Sequence, residues 1–87
     1  LKIYRAKEEE LINGCKARNR SAQRSLYDQY SSKMYALCYR YVKDSMEAED
    51  VLVTAFTRIF ERIDQFKGEG SFEGWIRRVV VNEALTY

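Results

Sequence analysis

Histidine and proline are absent from the sequence, and glycine and cysteine are scarce, with four and two residues. Without histidine, the Ser/His and Cys/His arrangements of nucleophilic catalysis are unavailable. Cys15 and Cys38 lack CxxC spacing, which disfavours a metal site and predicts free packing thiols in a reducing compartment. The scarcity of proline and glycine favours helices joined by short turns over a sheet of many strands.

Membrane segments and enzyme motifs are also missing. No apolar run is long enough to span a bilayer, no signal peptide is recognisable, and no glycine loop has the P-loop form. Helix capping and the helix dipole explain the cluster of Glu47, Glu49 and Asp50 better than acid–base catalysis does. We therefore expect a cytoplasmic protein with no membrane association, no enzymatic activity, no metal and no cofactor. Because the sequence starts at Leu1 rather than methionine, we also expect a fragment or a processed chain.

Charge is distributed unevenly along the chain, although the net charge is only +2. Residues 1–43 carry ten Lys/Arg and four Asp/Glu, residues 44–65 carry two and six, and residues 66–87 carry three of each. So small a net charge excludes a polybasic nucleic-acid coat. The asymmetry suggests different partners on different faces, and ordinary solvated helix faces are the alternative explanation.

Apolar residues recur at steps of three and four, which predicts four helices at about residues 7–18, 21–42, 44–65 and 71–87. We expect a compact all-α bundle that forms one domain over residues 1–87. The run Val79–Val81 is assigned to the last helix because no partner strand exists, and Tyr39 is expected to point outward. The predicted core stripes consist of Leu11, Ile12 and Cys15; of Ala22, Leu26, Tyr27, Tyr30, Met34, Leu37, Cys38 and Tyr41; of Val51, Leu52, Ala55, Phe56, Ile59, Phe60 and Ile63; and of Phe72, Trp75, Ile76, Val79, Val80 and Leu85.

Two of the predicted helices begin with capping signals. Asp44 and Glu47 have the spacing of a capping box, and Ser71 can cap the last helix. Gly68 and Gly70 interrupt the apolar pattern between the third and fourth helices, which predicts a loop there.

The closing stretch FKGEGSFEGWIRRVVVNEALTY places aromatic and cationic residues around this loop. A single-stranded base can stack on an aromatic ring while a cation holds its phosphate, and glycine lets backbone amides approach a base taken out of a duplex. Phe66 and Trp75 are candidate stacking platforms, and Lys67 and Ser71 are candidate phosphate and polar contacts. Asn82, seven residues after Trp75 on the same helix face, could donate to and accept from a base edge.

Two features weaken this nucleic-acid interpretation. An isolated tryptophan such as Trp75 is more often a core residue, and Glu69 and Glu73 reduce the local positive field. From the residues alone, both the nucleic-acid site and simple core packing therefore stay open.

The order Y…R…YV.D…AEDV…AF.R.F..ID.F.G…F..WI.R…N.A..Y resembles region 2 of bacterial RNA polymerase sigma factors of the extracytoplasmic-function (ECF) group. The resemblance extends from about Glu8 to Tyr87, and its motifs are specific in combination. It implies a domain that captures a flipped non-template base of the minus-ten promoter element with the glycine-containing loop and the start of the fourth helix. By this likeness the DNA-contacting residues are Phe66, Lys67, Ser71, Arg77, Arg78, Val79 and Asn82.

The same resemblance assigns the residues near the base and those near the strand backbone. Phe66, Lys67, Val79 and Asn82 would line or flank the base pocket. Arg77 and Arg78 would meet the strand backbone, and Trp75 is expected to be structural.

The third helix resembles the segment that docks on the clamp coiled coil of the largest polymerase subunit. The residues carried over are Asp50, Val51, Val53, Thr54, Phe56 and Arg58. Relatives usually have Gln followed by Asp or Glu where this chain has Val53 and Thr54. A specialised partner surface, or cover of Val53 by a neighbouring element, would explain this departure.

Relatives continue through a linker into a second helical domain that binds the minus-thirty-five element, and we expect that domain to be absent after Tyr87. The chain alone should then bind promoter DNA poorly. The prediction is a transcription initiation domain that docks on core RNA polymerase, traps an unpaired non-template base and has an anti-sigma factor as a further partner. The alternative is a protein-interaction module that mainly binds an anti-sigma factor or self-associates.

Overall fold

The structure, a computed structural model, describes residues 2–87 as four α-helices joined by short connections. The helices are α1 (Lys2–Lys16), α2 (Arg20–Val42), α3 (Ser45–Arg62) and α4 (Phe72–Thr86), and a 3₁₀ turn, Ile63–Gln65, follows α3. The all-α prediction is confirmed. Residues 2–87 contain no strand, and the Val79–Val81 run is helical as predicted. Leu1 lies outside the described residues.

Two helix boundaries differ from the prediction. α1 already includes Lys2 instead of beginning near residue 7, and it ends at Lys16 because Arg18 adopts a left-handed conformation with φ of 62°. α3 ends at Arg62, and its predicted last turn is the tighter 3₁₀ turn. Such tightening is frequent at helix C-termini, because it pairs carbonyls that an α-helix leaves unpaired.

Side-chain caps begin three of the helices. In these caps the N–H of Ala22 donates to Asn19 Oδ1 (2.9 Å), the N–H of Glu47 donates to Asp44 Oδ1 (2.9 Å), and the N–H of Gly74 donates to Ser71 Oγ (3.0 Å). Each such cap stabilises a helix by about 1 kcal/mol. The caps at Asp44 and Ser71 were predicted, whereas Asn19 lies in a segment that the sequence indicated only as a turn.

The core lies where the apolar stripes of α2, α3 and α4 meet, and α1 packs on α2 and on the 3₁₀ turn. Gly14 lets α1 approach α2 closely, since a Cβ added there would lie 2.6 Å from the Cβ of Ala22. The largest fully buried side chains are Phe72, Leu26, Met34, Ile59, Ile63, Ile76, Val51, Val80, Cys15 and Cys38.

Two predicted core positions are wrong. Tyr41 is 46% exposed although it continues the three-and-four spacing of α2, and it lies one turn beyond Cys38, the last buried residue of that helix. Leu85 is 65% exposed because it lies about 100° around α4 from Ala84, which is the last residue of the buried stripe. The outward orientation predicted for Tyr39 is confirmed, with 46% of its surface exposed.

The two cysteines are buried free thiols, as predicted. Burial raises the pKa of both, and Arg18 partly opposes this effect at Cys15. In the described part of the chain, no helix combines the length and apolar character needed to cross a membrane. Residues 2–87 also bring no three His, Cys, Asp or Glu side chains together in a way that could hold a metal ion.

Candidate nucleic-acid interface

Residues 66–71, here called the glycine loop, connect the 3₁₀ turn to α4, and aromatic packing anchors both of its ends. The ring centroids of Phe66 and Phe72 are 5.1 Å apart, and Trp75 lies 5.9 Å from Phe66 and 6.1 Å from Phe72. Phe66 is 7% exposed and Phe72 is 2% exposed. The prediction that Phe66 offers an exposed stacking platform is therefore wrong, because Phe72 and Trp75 cover its ring.

The middle of the glycine loop is exposed from Lys67 to Ser71. Gly68 and Gly70 have φ values of 79° and 78°, and a Cβ added to either would meet no atom within 4 Å. The backbone conformation, rather than any close neighbour, therefore requires glycine at both positions. The exposure of residues 67–71 leaves the loop amides accessible to a ligand.

Ser71 at the end of the loop is the N-cap of α4, since its hydroxyl oxygen accepts a hydrogen bond from the N–H of Gly74. The side chain stays exposed, and its O–H can still donate to a ligand. The predicted polar contact is compatible with this position and stays a prediction.

The exposed side of α4 presents Arg78 and Asn82, while Val79 on its flank is partly buried. Arg77 is also exposed but lies about 140° around the helix from Asn82, on the side of α4 that meets α2. Arg77 lies 3.8 Å from Glu73, whose carboxylate is also 3.1 Å from Lys33 Nζ. Glu73 thus lies between two cations that neutralise it, so it weakens the positive field of this face less than the sequence suggested.

Trp75 lies between the core and the outer face of α4. Its ring stacks on Phe72 with an interplanar angle of 13°, yet the side chain is only partly buried. The residue supports the loop anchor, in line with the expected structural role, and its exposed edge borders the same side of α4 as Asn82.

Lys16 and Arg18, which no sequence motif indicated, also hold the segment that leads into the glycine loop. Lys16 Nζ donates to the carbonyl oxygen of Phe66 at 2.9 Å. The Arg18 guanidinium donates to the carbonyl oxygen of Phe60 and to Asp64 Oδ2, each at 3.1 Å. No sequence pattern indicates that a cation before a turn will contact a residue more than 40 positions away. Only the tertiary structure therefore reveals these contacts.

The exposed face of α3 carries Asp50, Val53 and Thr54. Val53 is 60% exposed, so cover by a neighbouring element within residues 2–87, one of the two explanations for its apolar character, is wrong. Val51 and Phe56 are 1% and 2% exposed. As direct partner contacts these two assignments are also wrong, because both side chains belong to the core stripe of α3.

An ion pair ties α3 to α4. Arg58 Nε lies 2.9 Å from Glu83 Oε1, and the Glu83 side chain is only 19% exposed. Arg58 was predicted to face a partner, and in this structure its guanidinium is already committed to α4. Desolvation first, and then the nearby carboxylates of Glu47 and Asp50, raise the pKa of the Tyr87 hydroxyl after the end of α4.

Comparison with known proteins gives consistent matches. The model of the family Sigma-70 region 2 matches residues 26–87. The ECF RNA polymerase sigma factor SigW of Bacillus subtilis is 35% identical over 71 residues, which cover 82% of this chain and 38% of the relative. The RNA polymerase sigma-H factor of Pseudomonas aeruginosa is 28% identical over 85 residues, which cover 98% of this chain and 44% of the relative. The chain thus spans less than half the length of either relative.

A solved structure shares the fold. The NMR structure of an engineered region 2 of sigmaE in complex with GTAAAA has a TM-score of 0.81 and 30% sequence identity. The match covers 88% of this chain and 80% of that one.

Proposed function

Because the chain belongs to the Sigma-70 region 2 family, we propose that it is a transcription initiation domain that docks on core RNA polymerase and traps an unpaired base of the minus-ten element. The observation that carries the proposal is the exposed glycine loop, with Gly68 and Gly70 in left-handed conformations, directly before a helix face that presents Arg78 and Asn82. The complex of the structural relative with GTAAAA supports the binding of a short oligonucleotide by a domain of this fold.

The proposed mechanism is binding, with no covalent step. Lys67, Arg77 and Arg78 neutralise phosphates of the non-template strand, and Asn82 donates to and accepts from the edge of the trapped base. The accessible loop amides complete the polar contacts of that base. Unpairing costs a few kcal/mol, and the base-edge contact of Asn82, worth about 1–3 kcal/mol, together with the phosphate contacts offsets that cost.

Phe66 takes a different part from the one expected from the sequence. Its buried ring fixes the first residue of the glycine loop against Phe72 and Trp75, so Phe66 supports the pocket rather than stacking on the base. Val79, partly buried beside Asn82, supplies an apolar flank.

Polymerase docking is proposed for the exposed face of α3, through Asp50, Val53 and Thr54. Residues 44–65 carry two basic and six acidic residues, which suits a basic partner surface such as the proposed clamp coiled coil of the largest subunit. This role would place the chain in the cytoplasm.

The DNA part of the proposal is tested by titrating a labelled single-stranded GTAAAA oligonucleotide and following its fluorescence anisotropy. We expect Asn82→Ala to weaken binding about tenfold, as loss of a bidentate base contact does. Lys67→Ala should make the slope of log K against log salt shallower by about 0.7, the value for one phosphate on a single strand.

Lys7→Ala is the matched control, because Lys7 is an exposed cation on α1 remote from the loop in sequence. Equal binding by the wild-type chain, Asn82→Ala and Lys67→Ala would refute the DNA-trapping role.

A protein-interaction module is the second candidate, favoured by the exposure of Met46 (77%) and Val53 (60%) on α3. Such a module would bind an anti-sigma factor or a second copy of the chain. Sedimentation equilibrium separates self-association from the main proposal. The main proposal expects a monomer mass that does not change with the concentration of the wild-type chain. It also expects the Asn82→Ala variant to bind GTAAAA more weakly in the titration.

A further inference from the structure

The corner between α1 and α2 makes three contacts with the segment that leads into the glycine loop. Arg18 holds the carbonyl of Phe60 at the end of α3 and the carboxylate of Asp64 in the 3₁₀ turn. Lys16 holds the carbonyl of Phe66, the first residue of the loop. The anchored positions 60, 64 and 66 follow one another along the chain, so two side chains fix the whole approach to the loop.

The backbone at Arg18 indicates that its side chain matters. The N–H groups of Arg18 and Asn19 donate to the carbonyls of Cys15 and Gly14 at 3.0 and 2.9 Å, which is the Schellman pattern at a helix C-terminus. Arg18 occupies the left-handed position of that pattern, with φ of 62°, where glycine is usual. Because Arg18 adopts this unfavourable conformation and its side chain reaches α3, we expect the contacts of its guanidinium to have a function.

The loop itself has few internal bonds that could fix its position. Among the described residues, no backbone hydrogen bond outside the helices begins or ends at residues 67–70. A cavity of about 510 Å³ separates α1 from the loop, and its lining includes Asn13, Lys16, Phe66 and Lys67. Lys16 Nζ bridges this gap to the Phe66 carbonyl. Loop placement therefore depends on the loop's two ends, where Lys16 acts at one and the Ser71 cap at the other.

We infer that Lys16 and Arg18, here called the corner clamp, are positioning residues that set the glycine loop for the trapped base. The inference rests on the proposed function and adds α1 to the machinery, although residues 2–25 lie outside the match to the family model. The corner clamp does not touch DNA. It acts through the carbonyls of Phe60 and Phe66, so its loss lets the loop shift relative to α4 and lowers the fit to one base.

The test uses the full chain and labelled single-stranded GTAAAA, together with six versions that each carry one abasic site. Lys16→Met removes the bond to Phe66, and Arg18→Gly removes the guanidinium while relieving the left-handed backbone. The matched controls are Lys7→Met, on the same helix, and Lys43→Gly, a second cation in a left-handed conformation (φ of 57°) at the end of α2.

We expect both clamp variants to bind GTAAAA about tenfold more weakly than the wild type, in line with loss of a hydrogen bond to a charged group. In the wild-type chain, one abasic position should cost far more affinity than the others, and this difference should shrink in the clamp variants. The salt slope should stay unchanged, because no phosphate contact is lost. Lys16→Arg, which keeps a donor, should restore most of the preference.

Opposite results would separate the possible failures. Clamp variants that match Lys7→Met and Lys43→Gly in affinity and in abasic profile overturn the inference. A shallower salt slope in Lys16→Met, by about 0.7, would make Lys16 a phosphate contact and overturn its positioning role. If Lys67→Ala and Asn82→Ala also bind GTAAAA as tightly as the wild type, the proposed function fails. If those two variants bind more weakly while the clamp variants do not, only the corner clamp is refuted.

Discussion

At the scale of single residues, Arg58 and Glu83 form the least exposed ion pair described in this chain, with a separation of 2.9 Å and side-chain exposures of 43% and 19%. Partial removal of water strengthens such a pair relative to a surface pair. We predict that a double-mutant cycle with Arg58→Met and Glu83→Gln gives a coupling of about 1 kcal/mol in urea unfolding followed by circular dichroism.

The pair Arg24–Asp28 on α2 is a suitable control for that cycle. Its atoms are 3.5 Å apart and its side chains are 80% and 63% exposed. Arg24→Met with Asp28→Asn should give only about 0.3 kcal/mol, typical of an exposed pair one helical turn apart. Equal couplings for the two pairs would mean that Arg58–Glu83 does not hold α4 on α3.

The exposure of the polar candidates for the site was easier to predict from the sequence than that of the apolar ones. Lys67 and Asn82, which chemistry and spacing indicate as DNA contacts, are exposed, as a contact residue must be, and their contacts stay a prediction. Phe66, Val51 and Phe56 could not be assigned in this way, because an apolar residue in a motif can serve either the core or a partner. Only their burial separates the two roles.

At the scale of the elements, α3 has two faces of different character. The buried face is a regular apolar stripe, whereas the outer face carries Val53, which is 60% exposed, beside exposed Thr54. We predict that Val53→Gln combined with Thr54→Glu strengthens binding to Bacillus subtilis core RNA polymerase several-fold. The reason is that added polar and acidic groups complement a basic partner and speed encounter.

Folding stability offers an internal check on that variant. Because both positions are exposed, the free energy of unfolding should change by less than about 0.5 kcal/mol. Ser25→Glu, at an exposed position of α2, adds the same charge elsewhere and should leave polymerase binding unchanged. Unchanged polymerase affinity of the α3 variant would show that Val53 and Thr54 do not weaken docking.

The helices themselves were largely predictable, and the exceptions have local causes. Apolar spacing and the caps at Asp44 and Ser71 located α3 and α4 well. The end of α1 was misplaced because its left-handed residue is Arg18, and arginine gives no stop signal where glycine would. The approach of α1 to the loop was not predictable at all, since it depends on contacts between residues far apart in sequence.

At the scale of the whole molecule, the two cysteines report on different parts of the packing. Cys15 lies in α1 and Cys38 in α2, and both are fully buried. Burial raises the pKa of both thiols above the ordinary 9.0, so the folded chain keeps them protonated at neutral pH. Because the thiolate is the reactive form, modification requires an opening of the structure.

We predict that both thiols react with the disulfide reagent DTNB at pH 8 at least about 100-fold more slowly in the folded chain than in urea, because the open form is rare. Cys38→Ala leaves Cys15 as the single thiol, and Cys15→Ala leaves Cys38. If the four helices open as one unit, the two variants, compared at equal stability, should react at the same rate. Faster reaction of Cys15 would show instead that α1 opens independently, and Lys16→Met should then accelerate Cys15 while leaving Cys38 unchanged.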